Sequence, residues 1–232
     1  MKIKSNMTSV KQHIFLSGSV GVGKTTALKT FDEVYGNFVN MIIIKEYIDY
    51  DTEGEARLTA CQQGDMTLYD FQLYIMDMLE QQLNCDDYEG AKIVVWERHP
   101  EEALEIFSTD LTTVEKKKLK DRLEMLSQLY GFPLLSERKN FQKLTFNTLD
   151  ISDMFIADVM YDIIKASLSE EARGKVPKGM YVFLFIPNFN LEEHYKRIVK
   201  RGRTCEIERY KNLINLANLN LKYLKFIESI GK

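Results

Sequence analysis

Eight residues, Gly18-Ser19-Val20-Gly21-Val22-Gly23-Lys24-Thr25, carry the strongest chemical signal in the chain. They read G-x-x-x-x-G-K-T, a spacing that suits a loop wrapped around phosphate oxygens. Glycine reaches backbone angles closed to other residues, so successive N–H groups can turn inward toward an anion. Lys24 would reach the terminal phosphates, and the Thr25 hydroxyl could hold Mg²⁺. Thr26 opens the helix beyond, whose N-terminus adds a positive dipole end. The loop therefore predicts a nucleoside triphosphate.

Three further clusters bear on what receives the phosphate. Glu46 directly follows the apolar run Met41–Ile44, where a carboxylate facing the loop could take a proton from an attacking hydroxyl. Glu97-Arg98-His99-Pro100 follows Ile93-Val94-Val95-Trp96. Glu97 could hold Mg²⁺, through water, and Arg98 could neutralise charge building on a transferred phosphoryl group. His99 reads as structural, because phosphoryl transfer needs no acid there. Arg197, Arg201 and Arg203 form the third cluster, with Gly202 between the last two. Four residues apart, Arg197 and Arg201 share a helix face, and guanidinium groups make forked contacts with phosphates. The glycine suits a mobile turn, as a closing lid would need.

These residues need elements to position them. Apolar runs with strand character recur at Ile14–Leu16, Met41–Ile44, Ile93–Trp96 and Tyr181–Ile186, separated by helical patterns. That order predicts an α/β fold with a parallel sheet of four or five strands covered by helices on both faces. Ligands should gather at the C-terminal ends of the strands. Leu68, Phe71, Ile75, Leu79 and Leu83 step as an amphipathic helix, as do Ile151, Phe155, Val159 and Ile163. Tyr210, Leu213, Ile214, Ala217, Leu221 and Leu224 make a third stripe, and all three read as core. Lys116-Lys117-Lys118 reads as a solvated helix face. Between about 131 and 150 the pattern is irregular and predicts a loop or insertion.

Composition excludes several classes. The chain has 232 residues, 45% of them hydrophobic, which supports a full core. A net charge of −3 argues against a general nucleic-acid surface. Cys61, Cys85 and Cys205 form no C-x-x-C pair, so neither a disulfide frame nor a zinc site is expected. No apolar run is long enough to span a membrane, and Met1–Asn6 lacks the apolar core of a signal peptide. A cytoplasmic, intracellular protein is expected.

The ordered set of motifs resembles one family. The loop, Glu46, Phe71-Gln72, Glu97-Arg98-His99-Pro100 and Arg201-Gly202-Arg203-Thr204-Cys205-Glu206 are similar to those of the deoxynucleoside kinases, including the herpesvirus-type thymidine kinases. The likeness runs from about Ile14 to about Leu224 and is poorest between Gly131 and Gly179. The herpesvirus branch usually carries Asp where Glu97 stands, and the family's proline after the catalytic Glu is Tyr47 here. Many relatives continue beyond the point matching Lys232 into another strand and helix beside the adenine.

The resemblance implies one kinase domain over residues 1–232, a P-loop kinase fold, an arginine-rich lid at about 197–206, and use of ATP with Mg²⁺. Relatives are commonly homodimers, so it implies a homodimer. It makes Glu46 the general base for a nucleoside 5′-hydroxyl and has Gln72 pair with the base. Phe107 would stack on that base, with Ala103 one turn earlier. Arg98 would hold the 5′ end, while Arg197, Arg201 and Arg203 cover the phosphates. Glu206 would bind the 3′-hydroxyl, with Tyr69 as second candidate, and Tyr50 would line the sugar and base pocket. Where relatives favouring cytosine or purines often carry Arg and Asp, Leu79 and Ala103 stand here. That apolar pocket suits the thymine methyl group, so thymidine is the expected substrate. A thymidylate (nucleoside monophosphate) kinase and a nucleotide-binding module without turnover remain as alternatives. No N-K-x-D motif supports a GTPase.

Overall fold

The apolar run ahead of the glycine-rich loop forms β1 (Gln12–Gly18), and its interior residues are buried on both sides. A strand buried on both sides needs apolar residues at nearly every position, which is why this run does not alternate. The computed structural model describes residues 11–37, 40–136, 141–168 and 179–230. After β1 come α1 (Lys24–Tyr35), β2 (Met41–Ile44), α2 (Tyr47–Tyr50), α3 (Gly54–Gln63), α4 (Leu68–Leu83), α5 (Asp86–Gly90) and β3 (Ile93–Glu97). Then α6 (Pro100–Glu102) runs into a π-helical turn (Ala103–Phe107), followed by α7 (Thr113–Tyr130), β4 (Phe141–Asn147) and α8 (Asp153–Leu168). The chain continues through β5 (Gly179–Phe185), α9 (Leu191–Arg201), α10 (Thr204–Tyr210) and α11 (Leu213–Glu228).

The sheet has five strands in the order β2-β3-β1-β5-β4, and every neighbouring pair is parallel. Alternate residues of β1 enter two cores. Ile14 and Leu16 pack with Ile93, Val95, Val182 and Leu184 against α1 and α8. Phe15 packs with Val94, Trp96, Tyr181 and Phe183 against α4, α7 and α11. The expected α/β architecture with helices on both faces is thus present. Among the described residues no helix is long and apolar enough to cross a membrane. Met1–Asn6 lies outside the described residues.

The structure corrects three expectations. The irregular stretch holds a strand: β4 lies on the sheet edge beside β5 and precedes it in the chain. Its residues Gln142–Thr145 are exposed, so the edge strand has little apolar signature. In α8 the buried face is Ile156, Met160, Ile163 and Ile164, and Phe155 of the expected stripe is 46% exposed. In α11 the core takes Leu216, Leu219, Tyr223, Phe226 and Ile227, whereas Ile214, Leu221 and Leu224 face outward. Both helices are apolar beyond one stripe, so the period alone does not select which stripe turns inward.

Candidate functional site

The Gly18–Thr25 loop leaves the C-terminal end of β1 between β3 and β5. Gly18 has φ 143°, and a Cβ there would come within 2.3 Å of the Leu184 carbonyl oxygen. Glycine is what lets the loop start against β5. Lys24, in the first turn of α1, is buried and folds back, donating to the carbonyl oxygens of Gly18 at 3.1 Å and Ser19 at 2.9 Å. Burial and the Arg98 charge bring its pKa down to about 7, with Glu46 and Glu97 pulling the other way. From α9, His194 stands 2.6 Å from the Val20 carbonyl oxygen, and Asn220 of α11 contacts the other ring nitrogen at 3.3 Å. Burial holds this His194 pKa down at about 4.

Glu46 and Glu97 reach the loop from the ends of β2 and β3. The amide of Gln82 splints the end of β2: it accepts from Lys45 N at 2.8 Å and donates to Lys45 O at 3.0 Å. Thr25 donates its hydroxyl to Glu97 Oε1 at 2.6 Å. Burial, then the charge of Glu46, pushes the Glu97 pKa up. Burial acts the same way on Glu46, but Arg98, Lys24, Arg201 and Arg203 outweigh it and bring its pKa to about 2.

Arg98 is the hub. It has φ 78°, alone among the described non-glycine residues in being positive. Its Nε donates to Glu46 Oε1 at 2.8 Å and its Nη1 to Gly18 O at 2.8 Å. Nη1 also meets the Tyr223 hydroxyl and lies 3.7 Å from Glu102 Oε2. Burial opposes the charge of Arg98, but Glu46 and Glu102 more than offset this, so the guanidinium stays protonated. His99 caps α6, accepting from Glu101 N at 3.1 Å, while its Nε2 lies 3.0 Å from Pro133 O. That is the structural role its position implied.

The arginines divide. Arg203 donates to Asp49 Oδ1 at 2.7 Å and to Glu206 Oε1 at 3.3 Å. Arg201 lies 3.3 Å from Asp49 Oδ2 and 3.5 Å from the Thr25 hydroxyl. Arg197 stands apart, donating to Thr148 Oγ1 at 3.3 Å and Thr148 O at 3.0 Å beyond β4. One turn of α9 separates it from Arg201, enough to carry the two guanidinium groups to different neighbours.

Beside this charged centre lies a cavity of about 390 Å³, walled by α3, α4, α10 and the π-helical turn. Glu46, Gln72, Leu79, Arg98, Ala103, Phe107 and Glu206 all line it. Gln72 is 1% exposed, and its Oε1 has no hydrogen-bond partner. A buried acceptor left open costs free energy unless a ligand fills it. Tyr50 is 43% exposed and does not line the cavity; Tyr47, one turn earlier on α2, does. Tyr69 is half-buried and also outside the lining.

Sequence reasoning missed Asp49, Tyr47, Gln82, Glu102 and Tyr223. Asp49 follows Glu46 by one helical turn and Glu102 follows Arg98 by four residues. Such spacings are readable only once the helices are known to start there. Carboxylate oxygens of Glu46, Asp49 and Glu97 lie within 4.8 Å of one another. With the Thr25 hydroxyl beside Glu97, this all-oxygen donor set fits a hard divalent cation. Comparison of the sequence with protein-family models and with curated proteins returns no match.

Proposed function

We propose that the chain is an ATP-dependent deoxynucleoside kinase that phosphorylates the 5′-hydroxyl of thymidine. The observation that carries this reading is one ion pair in two places at once. Glu46 and Arg98 line the cavity, and Arg98 also donates to Gly18 of the glycine-rich loop at 2.8 Å. An acceptor hydroxyl in the cavity and a phosphate on the loop would therefore meet beside one carboxylate.

In this reading the P-loop, Lys24 and the helix N-terminus hold the ATP phosphates. The nucleoside lies along the cavity with its base toward Gln72, whose open Oε1 accepts the N3–H of thymine. Leu79 and Ala103 leave apolar room for the methyl group. Glu46, with Oε2 buried and unpaired, takes the 5′-hydroxyl proton as the hydroxyl oxygen bonds to the γ-phosphorus and the bond from that phosphorus to the β–γ bridging oxygen breaks, with ADP leaving. Lys24, Arg98, Arg201 and Arg203 neutralise charge spread over the phosphoryl group, the last two as a lid. Thr25 and Glu97, with Asp49 near by, would hold Mg²⁺, which supplies further charge neutralisation at the phosphates. A thymidylate kinase would need no base at Glu46, because its acceptor is already an anion.

The test is a transfer assay from ATP to the four deoxynucleosides and to thymidylate. Thymidine should give the highest kcat/KM. A tenfold preference for deoxycytidine or a purine ends the thymidine assignment. Turnover of thymidylate alone replaces it with the monophosphate reading. ATP binding without any product leaves a nucleotide-binding module.

A further inference from the structure

The charge of Arg98 is answered twice. Glu46 meets it at Nε from the substrate side, and Glu102 lies on the far side, within α6 and away from the reacting atoms. Glu102 is 0% exposed. Its Oε1 accepts from His99 N at 3.0 Å, the Ser17 hydroxyl lies near the carboxylate, and Oε2 stands 3.7 Å from Arg98 Nη1. A fully buried carboxylate needs a compensating charge, and Arg98 is the cation beside it. The helix cap explains Oε1 alone, because a neutral side chain could accept from His99 N equally well.

The proposed reaction makes this second carboxylate useful. When Glu46 takes the substrate proton it becomes neutral, and Arg98 loses the negative charge of its partner at 2.8 Å. The Arg98 side chain is only 9% exposed, so water answers little of its charge. Resting on the kinase reading, we infer that Glu102 is a positioning residue: it keeps Arg98 compensated and in place while Glu46 is protonated. Arg98 then stays by the Gly18 carbonyl and the phosphoryl group throughout the transfer. Burial raises the Glu102 pKa, with Arg98 the largest opposing influence, then the His99 amide, the Ser17 hydroxyl and Lys24. A charge-assisted contact of this kind is worth about a factor of ten in rate or exchange.

Two measurements test this, one of them independent of turnover. In kinetics, Glu102→Gln keeps the helix cap and removes the charge. It should lower kcat about tenfold with the nucleoside KM within about twofold, and the loss should vanish in a Glu46→Gln background. An equal loss in both backgrounds means a structural role and overturns the inference. In solution NMR, the Arg98 Nε–H should stay slow to exchange in Glu46→Gln and exchange at least about tenfold faster once Glu102→Gln is added. Release in Glu46→Gln alone, or no change in the double variant, also overturns it. Should Glu102→Gln not fold, Glu102→Asp retracts the charge and should give a smaller kcat loss in the same direction, and an unchanged kcat again counts against Glu102. If the native chain transfers phosphate to no nucleoside, the kinase reading falls by itself, while the exchange experiment still reports on the Glu102–Arg98 contact.

Discussion

The charged centre and the cavity beside it are built on opposite terms. In the centre, polar groups answer one another: Arg98 meets Glu46 and Glu102, the Thr25 hydroxyl donates to Glu97, and Arg201 and Arg203 share Asp49. In the cavity, the buried Oε1 of Gln72 faces a largely apolar wall with no partner. A cluster held by ion pairs has its geometry largely fixed before any ligand arrives, even with Glu46 Oε2 left open, so it costs little reorganisation at the moment of reaction. An open acceptor in an apolar pocket does the reverse, since it is satisfied only by the right guest. The centre should therefore govern rate, and the cavity should govern choice.

That division can be broken by substitution. The largest effect is expected from Glu46→Gln, which should lower kcat by about 10²- to 10⁴-fold with little change in the KM for thymidine. Steady-state kinetics decides, and near-normal turnover would remove Glu46 as the base. Next, Gln72→Leu should lower kcat/KM for thymidine by about 10² or more while leaving the KM for ATP unchanged. Equal losses for both substrates would dissolve the boundary between the two regions.

Within the centre the arginines should differ. Arg201→Ala should cut kcat/KM for ATP by about 10², whereas Arg197→Ala should cost less than about threefold there. Its contacts with Thr148 make it a tie between α9 and the turn after β4, so denaturant unfolding should show a loss of about 1 kcal/mol. A larger ATP effect at Arg197 would return it to the phosphate-covering set.

The smallest signal is a proton. Lys24 has its pKa brought down to about 7 by burial and by Arg98, so at pH 8 it is mostly neutral in the free protein. A bound phosphate favours the charged amine and raises that pKa again, so ATP binding at pH 8 should take up part of a proton. At pH 6 the amine already carries it and uptake should fade. Calorimetry in buffers of different ionisation enthalpy measures this, and Lys24→Met should abolish it.

How far the molecule is legible in its sequence follows the same line. The strands that carry the centre are apolar without interruption, because parallel strands covered on both faces must be. β1, β2, β3 and β5 were accordingly readable, as was the gathering of Gly18–Thr25, Glu46, Glu97 and Arg98 at their ends. β4 was not, because Gln142, Lys143, Leu144 and Thr145 are exposed, whereas β2, on the opposite edge, is partly covered and apolar throughout. The outward stripe of α11 looked like a core stripe, since a helix with apolar residues on two faces has no single phase. Gln72, Leu79, Ala103 and Phe107 could be gathered by resemblance and do share a cavity. Glu102 and Tyr223 could not, because only the folded chain brings them to Arg98.

The start of the glycine-rich loop sets a limit on variation. β1 and β5 run side by side with Gly18 opposite Leu184, and any side chain there would press on that strand's carbonyl at 2.3 Å. The push would pass straight to Ser19, whose own carbonyl steadies Lys24. A saturation library at this codon should return glycine alone among active clones. By contrast Gly131, with φ 76° and nothing within 4 Å of a virtual Cβ, should accept asparagine. Two identical letters in the sequence thus differ in mutational tolerance, and the difference lies in the neighbouring strand.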